Sequence, residues 1–135
     1  MQFSQRYYCF SGGSSGGLIE MDKKMTVETN VFQDIIDRKI PAEILYENPF
    51  WIVIRDVNPK AYFHLLVICK DTLPDIRAIA DDYPFLAVTI KAVTRQLGIS
   101  DYRLIINNGP KAGQTVPRLH AHILAPNYGE VLADF

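Results

Sequence analysis

His64, His120 and His122 are the only histidines in this 135-residue chain, and all three fall in β-forming runs. Imidazole titrates near neutrality, so it can serve as nucleophile, proton carrier or metal ligand around pH 7. His120 and His122 stand two apart in Arg118-Leu119-His120-Ala121-His122-Ile123. Successive strand side chains alternate between faces, which sets Arg118, His120 and His122 on one side and Leu119, Ala121 and Ile123 on the other. One face is then basic and titratable, and the other is an apolar anchor. His64 lies inside Phe63-His64-Leu65-Leu66-Val67-Ile68. A lone histidine in such a run is ordinarily a hydrogen-bonded core residue. Three converging with an arginine form a site.

The stretch before this ridge is Asn107-Asn108-Gly109-Pro110-Lys111-Ala112-Gly113-Gln114-Thr115. Glycines, amides and a hydroxyl let such a loop offer backbone N–H groups and short polar side chains to phosphate oxygens. Most glycine-rich loops are simply turns. This one runs directly into the histidine strand, so it can hold a phosphate while an imidazole attacks phosphorus.

These groups need a frame. Phe32, Ile35, Ile36 and Ile40 recur at helical spacing between the N-cap candidate Asn30 and Pro41. Strand runs follow at 42–47 and 50–56, joined by Asn48-Pro49 as a hairpin, and then at 62–70. Residues 74–98 read as helical: a short piece holding Ile76 and Ile79, a break at Pro84, then a stripe of Leu86, Ile90, Val93 and Leu97 ending at Gly98. Two more strands, 101–107 and 117–125, flank the loop. The order α-β-β-β-α-β-β predicts an α+β fold, a five-stranded antiparallel sheet carrying two main helices. Residues 1–29, with the Gly/Ser run Phe10–Gly17, read as a flexible tail before a single domain over 30–135.

Composition narrows the function. Hydrophobic residues at 48% and charged residues at 21% mark an ordinary globular chain. No stretch approaches the roughly 18 apolar residues of a membrane span, so no membrane partner is expected. Fourteen basic against fifteen acidic residues leave no long basic face for nucleic acid. A small anionic ligand needs only a local site. Cys9 and Cys69 form no CxxC pair and read as reduced thiols of a cytoplasmic protein.

Residues Gly113-Gln114-Thr115-Val116-Pro117-Arg118-Leu119-His120-Ala121-His122-Ile123-Leu124 resemble the histidine triad (HIT) signature His-φ-His-φ-His-φ-φ, with Arg118 in the first histidine's place. Phe32-Gln33-Asp34-Ile35-Ile36 and Ile40 through Glu47 are similar to the opening of its Hint branch. Asp56-Val57-Asn58-Pro59 and His64 through Ile68 resemble another block of that branch, with Cys69 where proline is usual. The resemblance spans roughly residues 31–126. It implies a two-fold homodimer that hydrolyses or transfers purine nucleotides, acting on nucleoside 5′-phosphoramidates or acyl- and aminoacyl-adenylates without metal or cofactor. His120 would be the nucleophile, forming a nucleotidyl-histidine that water cleaves. His122 and His64 would bind phosphate oxygens and assist the leaving group. Asn107, Gly113, Gln114 and Thr115 match phosphate-contacting positions, and Arg118 joins them as an anion binder. Asp56 matches the carboxylate that holds the ribose. Phe32, Ile35, Ile40, Ile54, Val57 and Leu66 match the apolar wall around the base.

The Arg118 departure leaves the main-chain carbonyl that orients the nucleophile but removes an imidazole, so activity is expected to be retained and altered. Three other readings compete: a three-histidine zinc enzyme with one open position, a non-catalytic nucleotide-binding module, and a dinucleoside polyphosphate hydrolase.

Overall fold

The structure, a computed structural model, describes residues 31–134. Asn30 and the proposed tail lie outside the described residues. Helix α1 covers 31–36 and buries Val31, Phe32 and Ile35. It is shorter than the apolar spacing through Ile40 predicts. Arg38 turns into the left-handed region at φ 63°, and Lys39 N–H closes on Asp34 O at 2.7 Å while Arg38 N–H reaches Ile35 O at 3.1 Å. That pair of bonds ends the helix before Pro41, whose ring disfavours helical backbone at the residue preceding it.

Five strands follow: β1 Ile44–Glu47, β2 Trp51–Arg55, β3 Phe63–Cys69, β4 Arg103–Ile105 and β5 His120–Ala125. All neighbours are antiparallel, in the order β1-β2-β3-β5-β4. Asn48 builds the first hairpin, its Oδ1 accepting from the Phe50 and Trp51 amides at 3.0 and 2.9 Å. The predicted 117–125 strand starts later because Pro117 has no N–H for a ladder and Arg118 N–H folds back to Val116 O at 2.8 Å. The predicted 74–98 helical region resolves into a single 3₁₀ turn, Ile76–Ala78, and helix α2, Leu86–Leu97. Gly98 caps α2 at φ 69°, where a Cβ would come within 3.0 Å of the Tyr128 hydroxyl.

Alternation along the strands splits the interior in two. Trp51, Val53, Leu65, Val67, Leu119, Ala121 and Ile123 pack with Ile90 and Val93 of α2. Ile52, Ile54, Leu66 and Ile68 pack on the opposite face with Val31, Phe32 and Ile35 of α1. Each such buried aliphatic side chain contributes about 1.5–3 kcal/mol. Among the described residues no helix is long and apolar enough to cross a membrane.

Candidate active site

His64, His120 and His122 lie on the α1 face, interleaved with its apolar cluster. In the register, Ile68 is opposite His120 and Leu66 is opposite His122, with His64 two residues further along β3. Ring centroids of His120 and His122 are 5.2 Å apart, and those of His122 and His64 are 5.3 Å apart. All three side chains are buried.

Hydrogen bonds fix the tautomers. Nδ1 of His120 lies 2.6 Å from the Arg118 carbonyl oxygen. A carbonyl only accepts, so Nδ1 carries the proton and Nε2 keeps a lone pair. The Phe32 ring meets this imidazole edge-on at 5.4 Å. The His64 ring is set from its other side: Nδ1 accepts the Lys60 backbone N–H at 2.9 Å, which places the proton on Nε2. That Nε2–H donates to His122 Nδ1 at 3.0 Å, leaving the His122 proton on Nε2. A ring with a free Nε2 lone pair and a ring with a proton on Nε2 thus stand side by side on one strand.

Burial, the dominant cause, holds the imidazoles neutral: His120 and His64 are pushed down to about 4 and His122 to about 2. The Arg118 carbonyl works against this at His120. Lys60 adds to it at His64, and the neighbouring histidines add to it at His122. Asp56, just beyond β2, accepts from the Asn58 amide at 2.8 Å through Oδ1. Its Oδ2 lies 3.3 Å from His64 Nε2 and finds no hydrogen-bond partner among the described residues. Burial pushes this carboxyl up to about 6, against the Asn58 amide and Lys60.

The loop from Asn107 to Thr115 contains a 3₁₀ turn, Pro110–Ala112, closed by Gly113 at φ 94°. Gln114 braces it from inside. Its Oε1 accepts the Gly109 amide at 2.7 Å, and its Nε2 donates to the carbonyls of Pro74 at 2.6 Å and Val116 at 3.0 Å. Both ends of the Gln114 side-chain amide are therefore engaged within the protein, where they brace the loop. Asn107 Nδ2 and Thr115 Oγ1 are buried with no partner among the described residues. Ile105 pairs with His122, so continuing the register sets Asn107 opposite His120.

Arg118 is likewise turned to protein partners. Its Nη2 donates to Gln33 Oε1 at 2.6 Å and its Nη1 to the Cys69 carbonyl at 3.2 Å. Of the expected base wall, Phe32, Ile35, Ile54 and Leu66 sit in one cluster, and Ile40 packs at its margin. Val57 stands outside that cluster, 59% exposed. A three-histidine metal centre does not fit. The donor atoms that converge, within 4.8 Å, are those of Asp56, His64 and His122, without His120. Moreover, the Lys60 amide obliges His64 Nε2 to hold its proton, and a protonated nitrogen cannot ligate a metal.

The HIT domain family matches residues 37–128. The chain belongs to the HIT family. It is 45% identical over 102 residues to an uncharacterized HIT-like protein of Synechocystis, covering 72% of this chain and 90% of that one. Among solved structures, a HIT family hydrolase from Clostridium thermocellum superposes with a TM-score of 0.66 at 39% identity, covering 76% of this chain and 96% of the other. A histidine triad protein from Clostridium difficile gives 0.68 at 31% identity, with 78% and 94% coverage.

Sequence reading missed Lys60 and Gln33. Lys60 acts through its backbone amide, which no residue type signals. Gln33 is one polar residue on a helix, and only the folded chain brings it to Arg118, 85 positions away.

Proposed function

We propose that this HIT protein is a hydrolase or nucleotidyl transferase acting at the α-phosphorus of nucleoside 5′-phosphoramidates. The observation that carries the reading is the His120 Nδ1 bond to the Arg118 carbonyl, which aims an unprotonated Nε2 from a rigid strand. As the Nε2–P bond forms, the P–N bond of the substrate breaks, and the amine departs with a proton taken from solvent, oriented by the Nε2–H of His122. Water then attacks phosphorus, gives its proton back to solvent and releases His120 with the nucleoside monophosphate. An acyl- or aminoacyl-adenylate reacts by the same attack, its carboxylate leaving without a proton.

Asn107 Nδ2 and Thr115 Oγ1, buried donors without partners, support a phosphate seat beside His120, completed by backbone at Gly113. Gln114 braces that seat from behind. The Oδ2 of Asp56, without a hydrogen-bond partner among the described residues, suits ribose hydroxyls; Phe32, Ile35, Ile40, Ile54 and Leu66 form an apolar wall for a purine, with exposed Val57 at its rim. A two-fold homodimer through the open edge of β4, where Leu104 is 43% exposed, belongs to the same proposal, as does a reducing cytoplasmic setting for the free thiol of Cys69. Protein quenched during turnover of an adenosine phosphoramidate should carry a nucleotidyl adduct on His120 by mass spectrometry. Turnover with the adduct on another residue, or with none, overturns the assignment.

A further inference from the structure

Helix α1 ends at residue 36, just before the left-handed turn at Arg38. Packing of Val31, Phe32 and Ile35 against the sheet sets its distance, but apolar contact has no direction and leaves slide and rotation loosely defined. A hydrogen bond of fixed geometry supplies what packing lacks. Arg118, 2% exposed, provides one: its guanidinium spans from Gln33 on α1 to the carbonyl of Cys69 at the end of β3. Gln33 is the neighbour of Phe32, whose ring touches His120, and the carbonyl of Arg118 itself holds the His120 tautomer. A planar fork with several donors can donate to acceptors on two elements at once, whereas a neutral imidazole has only one N–H to give.

We propose that Arg118 is a positioning residue, whose guanidinium locks α1 and its Phe32 wall in register with the nucleophile His120. Its kinetic consequence rests on the nucleotidyl-transfer reading above. Main-chain orientation of His120 survives any side-chain change at Arg118, so loosening the clamp should weaken nucleoside binding and leave the chemical step intact.

The test compares R118M, Q33A, the double variant and Q33E with the wild type, using an adenosine phosphoramidate for kinetics and amide hydrogen exchange over residues 32–36. R118M and Q33A should each raise KM about tenfold, the loss of one charge-assisted bond, while kcat stays within about twofold. The double variant should be no worse than either single change, because both remove one interaction. Q33E keeps an acceptor for the guanidinium and should restore KM. Exchange over 32–36 should accelerate in R118M and Q33A. A fall in kcat at unchanged KM, additive KM effects or unaltered exchange would each overturn the proposal. Q33A, on a partly exposed helix position, keeps the test alive if R118M does not fold. If the wild type neither turns over nor binds AMP by calorimetry, the functional reading fails, and exchange alone decides the clamp.

Discussion

The two faces of this sheet are made by the same strands and do opposite jobs. On the α2 side, Leu65, Val67, Leu119, Ala121 and Ile123 meet Ile90 and Val93 in a wholly apolar layer. On the α1 side, the alternate residues of the same strands are His64, Leu66, Ile68, His120 and His122, with polar groups threaded through the packing. Each histidine of β5 therefore has an apolar residue at its back. The lesson is about rigidity: a strand anchored by one face can hold reactive groups on the other within the small tolerances that chemistry requires. Buried polar groups on the site face are tolerated only where partners exist, and four side-chain atoms there and nearby have none among the described residues: Asp56 Oδ2, Asn107 Nδ2, Thr115 Oγ1 and Arg118 Nε.

Substitutions should separate the faces. The largest effect is expected at His120→Ala, which should lower kcat by about a thousandfold or more while thermal stability changes little. Unchanged turnover of an adenosine phosphoramidate would remove His120 from the nucleophile's role. On the opposite face, next to His122, Ile123→Ala should cost about 2–5 kcal/mol of stability by leaving a cavity, yet preserve KM and kcat in the folded fraction. Denaturant titration beside kinetics would reveal any leakage between faces. Thr115→Val removes a buried hydroxyl of matching shape, so turnover efficiency should drop about tenfold with stability level or slightly raised. A marked loss of stability would mean that the hydroxyl serves the fold rather than a ligand.

With pH, two contributions to stability oppose, and neither bears on turnover at neutral pH. The three histidines titrate near 4, 4 and 2 in the folded chain against an ordinary 6.5. Above 6.5 both states hold them neutral and their contribution is full. As pH falls from 6.5 toward 4, the unfolded chain takes up protons that the folded chain refuses, and stability declines. Asp56, raised from 3.8 to about 6, acts the other way, because the folded state binds its proton first. Urea midpoints should therefore fall clearly between about pH 7 and about pH 4.5, three groups outweighing one. A rising midpoint would contradict the burial of the imidazoles.

Much of this was legible without coordinates. Period-two alternation is enough to put His120 and His122 on one face, because strand geometry allows no other arrangement, while Arg118 joins them from the bend before the strand. The hairpin at Asn48 and the cap at Gly98 follow from local backbone chemistry, and the HIT blocks carry the family. What local pattern could not give were the boundaries and the partners. The apolar spacing of α1 runs to Ile40, yet a left-handed turn at Arg38 ends the helix early. Gln114 and Arg118 have the right chemistry to grip an anion, but folding commits both to protein acceptors. The sequence by itself determined which residues face together. Only the tertiary structure decided which nitrogen carries each proton, since that depends on carbonyls and amides brought up from distant strands and loops.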